Sequence, residues 1–180
     1  MYSNVTRHAQ WVDANAAAEP EPKREIHQKK VLLSVWWSRR GIEYYELLPT
    51  GQTITADVYS TQLQKLKAEL DSSRGQHSRI SFLHDNARPH VARKVKQLLG
   101  TFGWRVLPHP PYSPDLAPSD FWLFRDLQRF LDGQEFADRE DIVRALRGYF
   151  KSLPSSFFEE GIDKLPSRWS EVVDGDGQYL

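Results

Sequence analysis

The chain contains no cysteine, which excludes disulfides, thiolate-bound zinc and cysteine nucleophiles together. It has no charge excess either. The 24 Lys and Arg stand against 24 Asp and Glu, so any nucleic-acid surface must come from local clustering rather than a globally basic chain. No apolar run approaches the roughly 20 residues of a membrane span, and the opening MYSNVTRHAQWVD has neither the basic cap nor the apolar stretch of a signal peptide. The only methionine is Met1. The composition, 39% hydrophobic and 27% charged over 180 residues, is that of one globular domain long enough to bury a core.

Residues 1–30 show no helical or strand period, and DANAAAEPEPKREIHQKK suits an extended arm or long loop. Residues 31–180 read as the folded domain. VLLSVWW (31–37) and IEYYELL (42–48) flank Arg40-Gly41 and predict a β-hairpin packed on both faces. Tyr59, Leu63, Leu66 and Leu70 fall at helical spacing with Thr55 as N-cap. ISFL (80–83) is a short strand ending in His84-Asp85-Asn86, and Val91, Val95, Leu98 and Phe102 stripe a helix closed near Gly103. WRVL (104–107) is a further strand. PHPPYSPDLAPSD (108–120) carries too much proline for regular structure. Ser119 reads as the N-cap of the following helix, and two or three short helices complete the chain. The order is mixed α/β, an antiparallel hairpin followed by strand-helix alternation.

Asp85 stands at the carboxyl end of a predicted strand, where ligand sites of open α/β sheets gather, and Asp120 stands in the first turn of a helix. Carboxylates so placed can converge on Mg²⁺ or Mn²⁺, because hard cations take oxygen ligands. The same positions also suit a helix-dipole partner and a turn aspartate. His84 and His90 are open to metal ligation or to ordinary hydrogen bonding. Asp115, in the SPDL turn, reads as a structural cap of the proline-rich loop.

HDNARPHVA (84–92) together with LPHPPYSPDLAPSDFWLF (107–124) resembles the signature of mariner-type transposases, members of the DDE/D superfamily with the RNase H-like fold. That family separates its last two catalytic aspartates by 34 residues, as Asp85 and Asp120 are separated here. VWWSRRGIEYYELLPTG and GIDKLPSRWSEVVDGDGQYL resemble further parts of the same domain, so the likeness runs over essentially the whole chain.

The resemblance implies an RNase H-like mixed sheet with flanking helices. It implies that Asp85 and Asp120 are metal-binding catalytic acids of a two-metal site (Mg²⁺ or Mn²⁺) for DNA cleavage and strand transfer, in a nuclear protein. The partner implied is transposon-end DNA, with residues 1–30 acting as a clamp loop toward a second copy, and with no membrane and no small-molecule substrate. Arg39, Arg40, Arg88, Arg93, Lys94 and Lys96 are candidate phosphate contacts, expected to cluster near the hairpin turn and the Asp85 strand end, where phosphates would lie. The family's first acid lies in a D-E-x-W motif on a central first strand. That motif is missing from this sequence, and MYSNVTRHAQWVD resembles what directly follows it. The expectation is therefore a chain that begins just after the first acid, lacks most of the first strand and does not cleave DNA alone. Asp13, Glu43 and Glu46 are weak candidates to replace it. The alternative function is a decayed or host-adopted module kept for DNA or partner contact, as where such a domain is fused to a histone-methylating SET domain; nothing here resembles the SET domain itself.

Overall fold

The computed structural model describes residues 2–3, 31–74 and 79–175. The arm expected over 1–30 lies outside the described residues, except that Tyr2–Ser3 forms a short strand, β1, where none was expected. The hairpin consists of β2 (Leu33–Ser38) and β3 (Gly41–Leu47). Its register carries a bulge. Trp36 faces Tyr44 and Trp37 faces Ile42, so Glu43 is the extra residue. The bulge decides which way the strand's side chains point. Without it, Ile42 and Tyr45 would lie on opposite faces; with it, both join Leu33, Val35 and Trp37 against one apolar cluster, while Trp36 and Tyr44 pack on a second. Both faces of the hairpin are thus covered, as the continuous apolar runs predict.

The second cluster is built on α1 (Ala56–Arg74), whose Tyr59, Leu63, Leu66 and Leu70 are all buried. Thr55 caps it as expected, its hydroxyl accepting the Val58 amide at 3.2 Å. Gln62, buried on the same helix, donates to Ser34 Oγ of β2 at 3.2 Å and so is satisfied on burial. Against α1 pack α2 (Arg93–Phe102) and Phe82 of β4 (Ser81–Phe82), which pairs parallel with the exposed strand β5 (Arg105–Val106). Gly103 ends α2 in the left-handed conformation at φ 69°, a position that glycine takes without Cβ strain. Val91, expected on this helix, sits in the turn before it, where its amide and that of His90 both bond Ala87 O.

The first cluster gathers Leu47, Leu123, Leu127 and residues of α4 (Arg139–Ser152). Asp138 caps α4 through the Asp141 amide at 2.9 Å. β6 (Glu135–Phe136) pairs antiparallel with β1, and α5 (Ser155–Asp174) closes the chain. At 14 and 20 residues, α4 and α5 are longer than the short helices expected. Among the described residues the strands form three two-stranded ladders, β1-β6, β2-β3 and β4-β5.

The proline-rich segment holds one 3₁₀ turn at Pro114–Leu116. Beyond it the sequence reading needs correcting. Ser119 does not cap a helix; a π-helical stretch, Ser119–Phe124, precedes α3 (Arg125–Leu131), and no side chain caps its start. Ser119 Oγ instead accepts the Trp37 indole N–H at 3.1 Å. The hydroxyl is drawn to a strand 82 residues away rather than to its own helix, because a part-buried indole donor also needs a partner.

Candidate functional site

Asp85 follows β4 and is held locally. Its Oδ1 accepts the Ala87 amide at 3.0 Å and His90 Nδ1–H at 2.6 Å. Both bonds use one oxygen, leaving Oδ2 without a hydrogen-bond partner among the described residues. Burial works to raise the pKa of Asp85, but the Ala87 amide and His90 outweigh it, and the carboxyl titrates below its ordinary range.

The histidines are fixed from α1. Tyr59 stacks on His90 with ring centroids 4.1 Å apart, and its hydroxyl donates to His84 Nδ1 at 3.1 Å. Burial, followed by the neighbouring His90, lowers His84 to about 4, so the ring is neutral near pH 7 and accepts the tyrosine proton. Burial, with Asp85 adding to it, raises the Tyr59 phenol and keeps it a donor. Of the two roles open to these histidines, hydrogen bonding is the one seen here.

Asp120 arrives from the other core, on the π-helical stretch. That stretch is pinned at successive residues. Phe121 lies under the Arg168 guanidinium at 4.1 Å, Trp122 donates to Phe157 O at 2.8 Å, and Leu123 is fully buried. Gly161 of α5 makes the close approach possible, since a Cβ there would sit 2.8 Å from Trp122 Nε1 and 2.9 Å from its Cγ. Burial and then the Asp85 charge raise the pKa of Asp120, with His109 acting in the opposite direction. The two aspartates therefore share one electrostatic site. Asn86 Nδ2 binds it together by donating to His109 O at 2.6 Å, which joins the HDN turn to the proline-rich loop.

Tyr59, Asn86 and His109 were not named as site residues by sequence reasoning. The HDN and PHPP motifs containing the last two were the available signal; for Tyr59 there was only its place on a core stripe.

Asp85 and Asp120, the first close enough to raise the second's cost of ionisation, are hard oxygen donors of the kind that Mg²⁺ or Mn²⁺ takes. Among the described residues, no group of three or more His, Asp or Glu gathers to complete such a site. Glu43 accepts from Ser38 and Arg74, and Glu46 binds Lys65 at 2.7 Å, so neither joins Asp85. Asp13 lies outside the described residues. Asp115 is fastened through its backbone, its carbonyl accepting from Arg168 at 3.0 Å.

The basic residues divide into two groups instead of one cluster. Arg39 and Arg40 occupy the hairpin turn, where Arg39 pairs with Asp163 at 3.1 Å and the Arg40 amide donates to Ser38 Oγ, which Arg74 also binds. Arg88, Arg93 and Lys94 lie beyond Asp85, with Lys94 on Asp57. Arg74 and Asp57 are opposite ends of α1, about 25 Å apart at 1.5 Å per residue.

The Mos1 transposase catalytic domain, solved with raltegravir and Mn, superposes at TM-score 0.82 with 44% identity, covering 84% of this chain and 78% of that one. This chain belongs to the mariner transposase family. Residues 1–80 match the family model "Transposase (partial DDE domain)", and the mixed α/β architecture is the RNase H-like one of mariner catalytic domains. The full mariner Mos1 transposase of Drosophila mauritiana is 40% identical over 184 residues, covering all of this chain and 53% of that protein. The human "Histone-lysine N-methyltransferase SETMAR" is 40% identical over 187 residues, covering all of this chain and 27% of that protein. The Mos1 paired-end complex with the left transposon end superposes at TM-score 0.87 with 41% identity, covering 99% of this chain and 53% of that one. The chain thus spans about half the mariner transposase and about a quarter of SETMAR. Among the described residues, no helix is long and apolar enough to cross a membrane.

Proposed function

We propose that this domain is the DNA-handling catalytic core of a mariner-type transposase, in which Asp85 and Asp120 bind divalent metal beside a DNA phosphodiester. The observation that carries this reading is that two aspartates from separate cores stand on segments joined by the Asn86 bond to His109 O at 2.6 Å, with the Asp85 charge raising Asp120, within a fold shared with Mos1. Bound there, a pair of Mg²⁺ or Mn²⁺ ions supplies charge stabilisation for the attacking and leaving oxygens of strand cleavage. The chain's own part is positional. His90 and the Ala87 amide occupy Asp85 Oδ1 and leave Oδ2 to a ligand, while α5 holds the stretch bearing Asp120. Arg88, Arg93 and Lys94, on the Asp85 side of α1, contact phosphates without reading sequence. A protein with this substrate works in the nucleus.

With two acids gathered among the described residues, the 180-residue chain binds metal weakly and does not cut DNA alone. Mn²⁺ titration followed by electron paramagnetic resonance should show binding that either Asp85→Asn or Asp120→Asn abolishes. Supercoiled plasmid should remain unnicked in Mg²⁺ or Mn²⁺. Metal binding indifferent to both substitutions would refute the site, and nicking abolished by Asp85→Ala would refute the incompleteness.

A further inference from the structure

The proline-rich loop carries a side chain that the two-carboxylate site does not use. Tyr112 is 91% exposed, the most exposed of the large hydrophobic residues described. It also has a left-handed backbone at φ 56°, the only non-glycine residue so placed among those described. An aromatic ring gains nothing from water, and a left-handed tyrosine is disfavoured by its own Cβ. Neither feature helps the fold, yet the loop enforces both.

Pro110 and Pro111 precede the residue and Pro114 follows it, which fixes backbone angles on both sides. One end of the loop is tied at His109 O by Asn86, and the other by buried Leu116 and the Arg168 bond to Asp115 O. The ring is therefore presented by a braced support. Its location is equally specific. Tyr112 stands three residues from His109, at most about 11 Å of chain, and His109 is close enough to Asp120 to influence its ionisation.

Resting on the DNA reading above, we propose that Tyr112 is a stacking platform for an unpaired base of the DNA whose phosphate lies at Asp85 and Asp120. A nucleobase fits better than an apolar protein side chain for two reasons. Tyr112 is the one exposed large hydrophobic residue described in the 108–115 segment, and the turn that Asn86 ties to His109 O runs on into Arg88, a cation that suits a phosphate backbone. Stacking needs only a π-face and tolerates any base. It would hold a distorted strand at the carboxylates independently of sequence.

The experiment compares the full chain with Tyr112→Phe and Tyr112→Gly. It measures fluorescence anisotropy in Mn²⁺ on a labelled duplex that is fully paired and on the same duplex bearing one extrahelical adenine. Wild type and Tyr112→Phe should favour the bulged duplex by about tenfold, and Tyr112→Gly should lose that preference. Because glycine accepts positive φ without strain, Tyr112→Gly should melt no lower than wild type, which separates lost stacking from lost structure. Preference retained by Tyr112→Gly, or lost equally by Tyr112→Phe, overturns the proposal while leaving the DNA reading intact. A change of oligomeric state in Tyr112→Gly without a change in base preference assigns the ring to protein contact and also overturns it. Absence of binding to either duplex overturns this inference and the DNA reading together.

Discussion

In the site proposed above, Asp85 and Asp120 come from two differently built supports. Asp85 is held by hydrogen bonds to its own carboxylate, from the Ala87 amide and His90, behind which stands Tyr59. Asp120 is held through its backbone, by what Phe121, Trp122 and Leu123 do on the far side of the π-helical stretch. Among the described residues no hydrogen bond reaches its carboxylate. One acid is oriented and kept charged; the other is placed and left electrostatically unsatisfied. A pair built this way has an ionised ligand ready and a second whose ionisation a cation would favour.

The largest effect is expected where backbone placement can be broken at a distance. Gly161→Ala puts a methyl group into the Trp122 ring, so the indole must move and its bond to Phe157 O must weaken. Overpacking of this kind costs about 1–3 kcal/mol, and thermal melting should show it. Mn²⁺ affinity should fall as well, although Gly161 is no ligand, because the displaced stretch carries Asp120. A variant with wild-type melting and wild-type metal affinity would show that α5 does not position this acid.

The Asp85 support is tested at Tyr59. Tyr59→Phe keeps the ring stacked on His90 and removes the hydroxyl, leaving His84 Nδ1 without its donor; a loss of about 1 kcal/mol is expected. Tyr59→Leu also removes the stack and should cost more, with Mn²⁺ affinity falling further than in Tyr59→Phe. If the two variants bind Mn²⁺ alike, the ring does not act through His90.

These two supports differ in how far the sequence revealed them. The Asp85 side was legible because it is local: the strand, the HDN turn and the α1 stripe with its Thr55 cap lie in short windows whose periodicity and turn chemistry are visible residue by residue. The 34-residue spacing to Asp120 made the pair itself recognisable. The Asp120 side was not legible in the same way. The π-helical stretch, the diversion of Ser119 to Trp37 and the Gly161 contact depend on segments 35 to 82 residues away, and neither propensity nor capping preference reports on such partners. The bulge at Glu43 is an intermediate case. The apolar run announced a hairpin packed on both faces, but the assignment of Ile42 and Tyr45 to one face needed the cross-strand register. The basic residues failed as a cluster for a related reason: Arg40 and Lys94 can seem neighbours only when the length of α1 between them is ignored.

The smallest effect is also the sharpest on the comparison, because its sign differs between the two acids. Asp85 titrates below its ordinary range when folded, so its charge contributes stability above the unfolded pKa, and this is lost as pH falls through the lower, folded value. Asp120 titrates above its ordinary range, so its charge costs stability at neutral pH, and the cost is relieved as pH falls through that raised value. At pH 7 without metal, Asp85→Asn should therefore lower the melting temperature and Asp120→Asn should raise it. The Asp120 difference should vanish as pH falls below its raised value, and the Asp85 difference only below the lowered Asp85 value, where both wild-type carboxyls are neutral. Part of the Asp120 shift is repulsion from Asp85, so Asp85→Asn in wild type removes a stabilising set of hydrogen bonds and a destabilising repulsion together. With Asp120 already neutral only the first remains, and Asp85→Asn should cost more in the Asp120→Asn background than alone. Saturating Mn²⁺ should then reverse the ranking, raising wild-type melting while leaving both single variants unmoved, since only the ionised pair binds the ion. Equal signs for the two single variants at pH 7 would mean that the two acids are held alike, and the contrast between an oriented ligand and an unsatisfied one would be gone.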